Sequence, residues 1–176
     1  TILDQAKLMW VNYPNNPTGA TATQQFYSEL LDICRKHDIL LASDNPYVDI
    51  TYDGYKASSF LQLPDSKDYA VEFFSLSKTY NMAGWRIGAV VGNSEALKHL
   101  LKVKSNVDGG HFKAIYEAGS IALDTISDEW IEKRNSIYQS RRDLLYEALP
   151  NIGLSAQLPK ASLYLWAKIP SRFEND

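Results

Sequence analysis

Short apolar runs that do not alternate with polar residues constrain this chain more than anything else in it. Residues 8–13, 39–43, 71–75 and 87–91 are rich in Val, Ile, Leu and aromatic side chains and are bounded by turn formers. A strand with one solvated face alternates, so continuous runs predict strands buried on both faces. Helical patterns lie between and after them, and that alternation predicts an α/β layer fold, a three-layer sheet with helices on both faces.

The helical segments carry their own punctuation. Thr21 and Gln24 have the spacing of a capping box, ahead of a helix with Phe26, Leu30, Ile33, Cys34 and His37 on one face; this places Cys34 in the core. Ser94 is the predicted N-cap of a helix bearing Leu97, Leu100 and Leu101, which breaks at Asp108-Gly109-Gly110. Another helix starts near Phe112, and its small residues Ala118, Gly119 and Ala122 predict close packing. A long amphipathic helix from about Ser127 carries Ile137, Tyr138, Leu144, Leu145 and Ala148 and ends at Pro150-Asn151-Ile152-Gly153. Residues 163–167 then predict a strand of a separate region, so the expected domains are 1–150 and 151–176.

Composition excludes several classes of function. The 176 residues are 45% hydrophobic, enough for a packed core, and the net charge of -3 with scattered Lys and Arg predicts no nucleic-acid partner. No stretch is apolar for the length of a membrane span, so no membrane association is expected. A lone cysteine, Cys34, cannot form an internal disulfide, which suits a reducing compartment, and the cytoplasm is the expected location. The chain opens on Thr1 and runs at once into a strand, as a piece of a longer protein would.

Three clusters sit at the ends of predicted strands, where open α/β sheets place ligands. In Asn12-Tyr13-Pro14-Asn15-Asn16-Pro17-Thr18-Gly19, two prolines stiffen a loop that presents the Asn16 amide; a rigid turn with no further role is the simpler alternative. In Ser43-Asp44-Asn45-Pro46-Tyr47, a carboxylate ends an apolar strand: either a turn aspartate, or an acid that holds a cationic ring nitrogen while Tyr47 donates to a ring oxygen. In Ser75-Leu76-Ser77-Lys78, with Arg86 eight residues on, an amine stands beside hydroxyls and a guanidinium able to hold a phosphate. A solitary lysine would point to solvent; in this company Lys78 is a Schiff-base candidate.

Taken together, these motifs resemble the class I/II aminotransferases, pyridoxal 5'-phosphate enzymes of fold type I. The resemblance implies that Lys78 forms the Schiff base and moves the substrate's Cα proton. It also implies that Asp44 pairs with the pyridine nitrogen, that Asn16 and Tyr47 contact the 3-oxygen, and that Ser75, Ser77 and Arg86 hold the phosphate. Between them, Gly84 serves a turn, Trp85 packs, and Tyr80 has no assigned role. The implied architecture is the later part of the large domain, with run 87–91 antiparallel to its neighbours, followed by the start of a small domain. The implied partners are an amino acid, a 2-oxo acid such as 2-oxoglutarate, and a second subunit in a homodimer; no metal is expected. The family's phosphate loop and stacking aromatic would lie upstream of Thr1 and its carboxylate-binding arginine beyond Asp176, so little activity is expected of this piece alone.

Within the family, Asp53-Gly54-Tyr55-Lys56, Ser59-Phe60-Leu61-Gln62 and Val103 to Phe112 look most like LL-diaminopimelate aminotransferases, with aspartate as the other donor considered. His111, at a helix start with no partner in sequence, reads as a polar loop residue. Two further readings share the motifs: another pyridoxal-phosphate reaction such as a β-lyase, and a non-catalytic aminotransferase-like regulator domain.

Overall fold

Four strands form one sheet in chain order, β1 (Leu8–Asn12), β2 (Leu40–Asp44), β3 (Ala70–Ser75) and β4 (Gly88–Gly92), in a computed structural model that describes residues 2–173. The first two pairings are parallel and β4 runs antiparallel to β3, as the family resemblance implies. A helical turn, α1 (Ile2–Gln5), precedes β1, and α2 (Gln24–His37) connects β1 to β2. Between β3 and β4 lie only the short α3 (Leu76–Thr79) and a 3₁₀ turn at Ala83–Trp85. A parallel crossover must lay a full helix back across the sheet, and α3 is too short for that, so the chain returns antiparallel.

Uniform burial of the strands holds only inside the sheet. The middle of β2 is buried, as is the first half of β3, whereas Leu8, Trp10 and Val91 on the edge strands are 56%, 58% and 51% exposed. Each edge strand has a neighbour on one flank only. The main core gathers Ile39, Leu41 and Ala70 from the sheet and its approaches, Phe60 from the loop before β3, and Tyr27, Leu30, Leu31 and Cys34 from α2. Cys34 is fully buried, as expected, and burial pushes its thiol pKa up. The buried face of α2 is rotated one position from Phe26 and Ile33, onto the i, i+3, i+4, i+7 set that starts at Tyr27.

Two helix caps fall elsewhere than predicted. Thr23, not Thr21, caps α2 by accepting from the Phe26 N–H at 3.1 Å. Asn93, not Ser94, caps α4 (Ser94–Val107), accepting from the Ala96 N–H at 2.8 Å. Neighbouring residues compete for a cap, and backbone direction decides. Gly92 turns out of β4 at φ +133°, where a side chain would run into the Ala70 carbonyl oxygen, and this leaves Asn93 at the helix mouth.

Small residues do pack α5 (Lys113–Thr125) closely. A Cβ at Gly119 would lie 2.8 Å from Ile87 Cδ1 and 3.3 Å from Leu76 Cδ2, so α5 seats directly on the turn that holds α3. The long helix α6 (Asp128–Ala148) starts at Ser127 and ends before Pro150, as predicted, but its apolar stripe is not its buried face. Ile137, Leu144 and Leu145 are 48%, 69% and 59% exposed, while Arg134 and Arg142 are buried. These arginines stay buried because oxygen acceptors surround them. Arg142 donates to Asp53, Asp143 and the Pro159 carbonyl, each at 2.8 Å, and lies over the Tyr52 ring.

After a 3₁₀ turn closed by Gly153, β5 (Ser155–Ala156) pairs antiparallel with β6 (Ala167–Lys168). The strand predicted at 163–167 shrinks to that pair, because Ser162 at φ 72° turns the chain toward the site described below. Residues 174–176 of the predicted second domain, like Thr1, lie outside the described residues. No helix among the described residues is long and apolar enough to cross a membrane.

Candidate active site

Asn12 and Asp44 are register partners at the ends of β1 and β2, and Asp44 is in turn opposite Phe73 of β3, so three strand ends form one rim. Sequence reasoning gave Asn12 no role, yet it organises this rim. Its amide donates to the Asp44 backbone carbonyl at 2.9 Å and to Asp44 Oδ2 at 3.0 Å. Its oxygen accepts from the Asn16 backbone N–H at 2.8 Å and from Asn15 Nδ2 at 3.0 Å. One carboxamide therefore fixes both the carboxylate and the loop that carries Asn16. The available signal was a carboxamide in the last place of an otherwise apolar strand.

The loop beyond is closed by its own side chains. Asn15 Oδ1 accepts from the Thr18 backbone at 3.1 Å and from its hydroxyl at 2.7 Å, and Gly19 at φ +71° donates back to the Asn15 carbonyl. The Tyr13-Pro14 and Asn16-Pro17 bonds are both cis. Asn16 itself is exposed, and its side chain lies near enough to the hydroxyl of the buried Tyr47 to favour the ionised phenol slightly. The same hydroxyl lies 2.6 Å from that of Tyr164, which the sequence did not bring to the site. Burial, more than any neighbour, holds the Tyr47 phenol well above its ordinary pKa. Burial likewise raises the Asp44 carboxyl.

The third cluster stands on the neighbouring strand end. The Ser75 hydroxyl accepts from the Ser77 N–H at 3.2 Å and so caps α3, with its own proton still available. Lys78 lies half-buried in that turn, one residue before Thr79. Arg86, at φ 55°, joins through the backbone: Leu76 N–H bonds the Ile87 carbonyl, and Ser75 pairs with Gly88. Its Nη1 donates to the Ala83 carbonyl at 2.9 Å, and Nη2 has no partner among the described residues. Gly84 serves the turn as expected, while Trp85 is only partly covered, 46% exposed on a surface 3₁₀ turn. Tyr80 lies against the Leu76, Met82, Ile87 and Ala122 cluster.

A buried arginine holds the Lys78 turn from behind. Arg134 Nη1 donates to the carbonyls of Lys78, at 3.2 Å, and of Thr79, while Nη2 donates to that of Asp49. Thr79 Oγ1 reaches Asp49 Oδ2 at 2.9 Å and Asn135 Nδ2 reaches the Asp49 carbonyl at 2.9 Å, so one network ties α3, the loop after Tyr47, and α6. Apart from the bonds of Arg134 to the adjacent Asn135, the contacts are long-range, which is why sequence spacing did not expose Arg134.

Comparison with known proteins gives a consistent result. Residues 2–174 match the family described as aminotransferase class I and II. LL-diaminopimelate aminotransferase 2 of Trichormus variabilis is 51% identical over 166 residues, covering 94% of this chain and 42% of its own length. Among solved structures, apo-BacF of Bacillus subtilis aligns with a TM-score of 0.91 at 37% identity, over 98% of this chain and 44% of that one. A probable N-succinyldiaminopimelate aminotransferase of Thermus thermophilus aligns at 0.90 and 42% identity, over 96% and 45%. The chain spans less than half the length of the curated relatives it matches. Because the match runs through every strand of the sheet and all three strand-end clusters, the chain belongs to the class I and II aminotransferase family.

Proposed function

We propose that the protein transfers an amino group between an amino acid and a 2-oxo acid such as 2-oxoglutarate, with LL-diaminopimelate as the amino donor and pyridoxal phosphate as cofactor. The observation that carries the reading is the hydrogen-bonded chain from Asn16 through Asn12 to Asp44, with Tyr47 beside it, on the rim that also holds Lys78. The donor follows from the likeness to LL-diaminopimelate aminotransferases, and the cofactor is the one the family uses.

The residues present suit that cofactor. Asp44 receives only a neutral amide on Oδ2, stands in no ion pair among the described residues, and is strained as an anion by burial. A protonated ring nitrogen is the counter-charge such a carboxylate lacks. Tyr47 and Asn16 are donors suited to a phenolic oxygen, and Ser75, Ser77 and Arg86 offer hydroxyls and a guanidinium edge suited to a phosphate. When bound, pyridoxal phosphate supplies an aldehyde for the amine and an electron sink for the Cα bond.

The remaining work falls to the chain. Lys78 would hold the cofactor through its Nζ, and the same amine, when free, would take up and carry the proton that leaves the substrate Cα. Asp44, steadied by Asn12, keeps the ring nitrogen protonated. Asn16 and Tyr47 orient the ring through its oxygen, and Ser75, Ser77 and Arg86 anchor it. A cytoplasmic homodimer is the working state we assign, in line with the family. A panel of amino donors offered to the full-length protein with 2-oxoglutarate tests the reaction. Glutamate formed fastest from LL-diaminopimelate is expected; no glutamate from any donor defeats the reading.

Asp44 also makes a pH-dependent prediction. Its carboxyl pKa is raised in the folded chain, so without cofactor its contribution to stability is fullest below the ordinary carboxylate range. That contribution is lost as pH rises through the ordinary value toward the raised one. Asp44→Asn in cofactor-free protein removes this loss, and its melting temperature at neutral pH matches or exceeds that of the parent. Affinity for pyridoxal phosphate falls about 10- to 100-fold with the charged partner gone. Thermal melts with and without cofactor read both effects.

A further inference from the structure

We infer that Tyr164 is a positioning residue for the cofactor: it donates its hydroxyl proton to Tyr47, and so couples the segment after α6 to the ring oxygen that Tyr47 is proposed to hold. The inference rests on the function proposed above. Its observation is the 2.6 Å contact between the two hydroxyls, made by rings that meet edge to face at 5.5 Å.

Proton counting gives the direction. A phenol has one proton to donate and can accept two hydrogen bonds. In the ligand-free pair either hydroxyl can be the donor, and Tyr47 stays a neutral phenol. An acceptor on the open side of Tyr47 claims its proton, and the contact with Tyr164 is then kept only if Tyr164 donates. Tyr47 thereby accepts from Tyr164, and a phenol accepting such a bond is a stronger donor, because hydrogen bonds in a chain reinforce one another.

Tyr164 is placed for this by its own backbone. Tyr52 Oη donates to the Ser162 carbonyl at 2.6 Å, and the Ser162 N–H reaches the Ile50 carbonyl at 2.9 Å. The Tyr164 N–H rests on Ser162 Oγ at 3.3 Å. Residues 50–52 follow Tyr47 on the same loop, so both phenols are fixed to one frame. The titratable groups around the pair are Asp44 on the sheet rim, Tyr52, Tyr138, and Arg141 and Arg142 across a cavity of about 300 Å³ behind Tyr164.

The test reads the pH midpoint of the bound cofactor's absorption change in the full-length holoenzyme. A donor to the ring oxygen stabilises that oxygen as an anion and lowers the midpoint, so losing it raises the midpoint. Tyr47→Phe is expected to raise it by about one unit or more, and Tyr164→Phe, which keeps the ring and its packing, by roughly half a unit. In a Tyr47→Phe background, Tyr164→Phe should add nothing. An unmoved midpoint in Tyr164→Phe overturns the inference, as does a shift that survives without the Tyr47 hydroxyl. If Tyr47→Phe itself leaves the midpoint unmoved, the proposed role of Tyr47 falls as well; if it shifts while Tyr164→Phe does not, only Tyr164 is at fault.

Discussion

Lys78→Ala lowers transamination by about 10⁴-fold or more, since it removes both the group that holds the cofactor and the group that moves the proton. The fold barely responds. The part of Lys78 that the structure uses is its backbone carbonyl, which accepts from Arg134 and which alanine retains. Stability measured by urea unfolding therefore changes by less than about 1 kcal/mol. Lys78→Arg separates charge from chemistry: the guanidinium keeps the positive charge but stays protonated at every working pH, so it supplies no free amine. Rates of glutamate formation by the two variants are expected to be equally low. An arginine variant with substantial activity would show that charge, not a transferable proton, is what Lys78 contributes.

Arg134→Ala is expected to have the largest effect on stability, about 3–5 kcal/mol in urea unfolding, out of the roughly 5–15 kcal/mol that holds a domain together. Arg134 is 5% exposed and its guanidinium bonds the carbonyls of Lys78, Thr79 and Asp49; truncation leaves buried oxygens short of a donor and a void beside α3. Arg134→Lys restores the charge without the planar fork and recovers only part of the loss. In holoenzyme the loosened α3 lets the Lys78 amine wander, and displacement of about 1 Å lowers kcat by about 10²-fold. A loss below about 1 kcal/mol in Arg134→Ala would mean that the carbonyls find water and that α6 does not brace the lysine.

These two residues mark what sequence can and cannot reveal. The strands at 8–13, 39–43, 71–75 and 87–91 were readable because unbroken apolar runs have few other uses, whereas the antiparallel return of β4 came from the family resemblance, with which its short connection agrees. The strand-end groups were readable for a local reason: Asn16, Asp44, Tyr47 and Lys78 each follow directly on a run whose end could be seen. Arg134, Tyr164 and the organising role of Asn12 were not. Their partners lie 56, 117 and 32 residues away in sequence, and no periodicity encodes such pairs. The apolar stripe of α6 misled for the same reason. Helical spacing shows which residues share a face but not whether that face or the arginine face turns inward; carbonyls and carboxylates brought in from distant loops decided it. The caps at Thr23 and Asn93 failed more gently, by one or two places, where adjacent polar residues were equally good candidates.

In the proposed function, the rim formed by Asn12, Asp44 and the Lys78 turn is a pyridoxal-phosphate site in which Lys78 carries the covalent link. The direct measurement is to incubate the full-length protein with pyridoxal phosphate, reduce with borohydride, digest, and locate the phosphopyridoxyl group by mass spectrometry. One stoichiometric label, on Lys78, is expected. Label on any other lysine, or none, would contradict it.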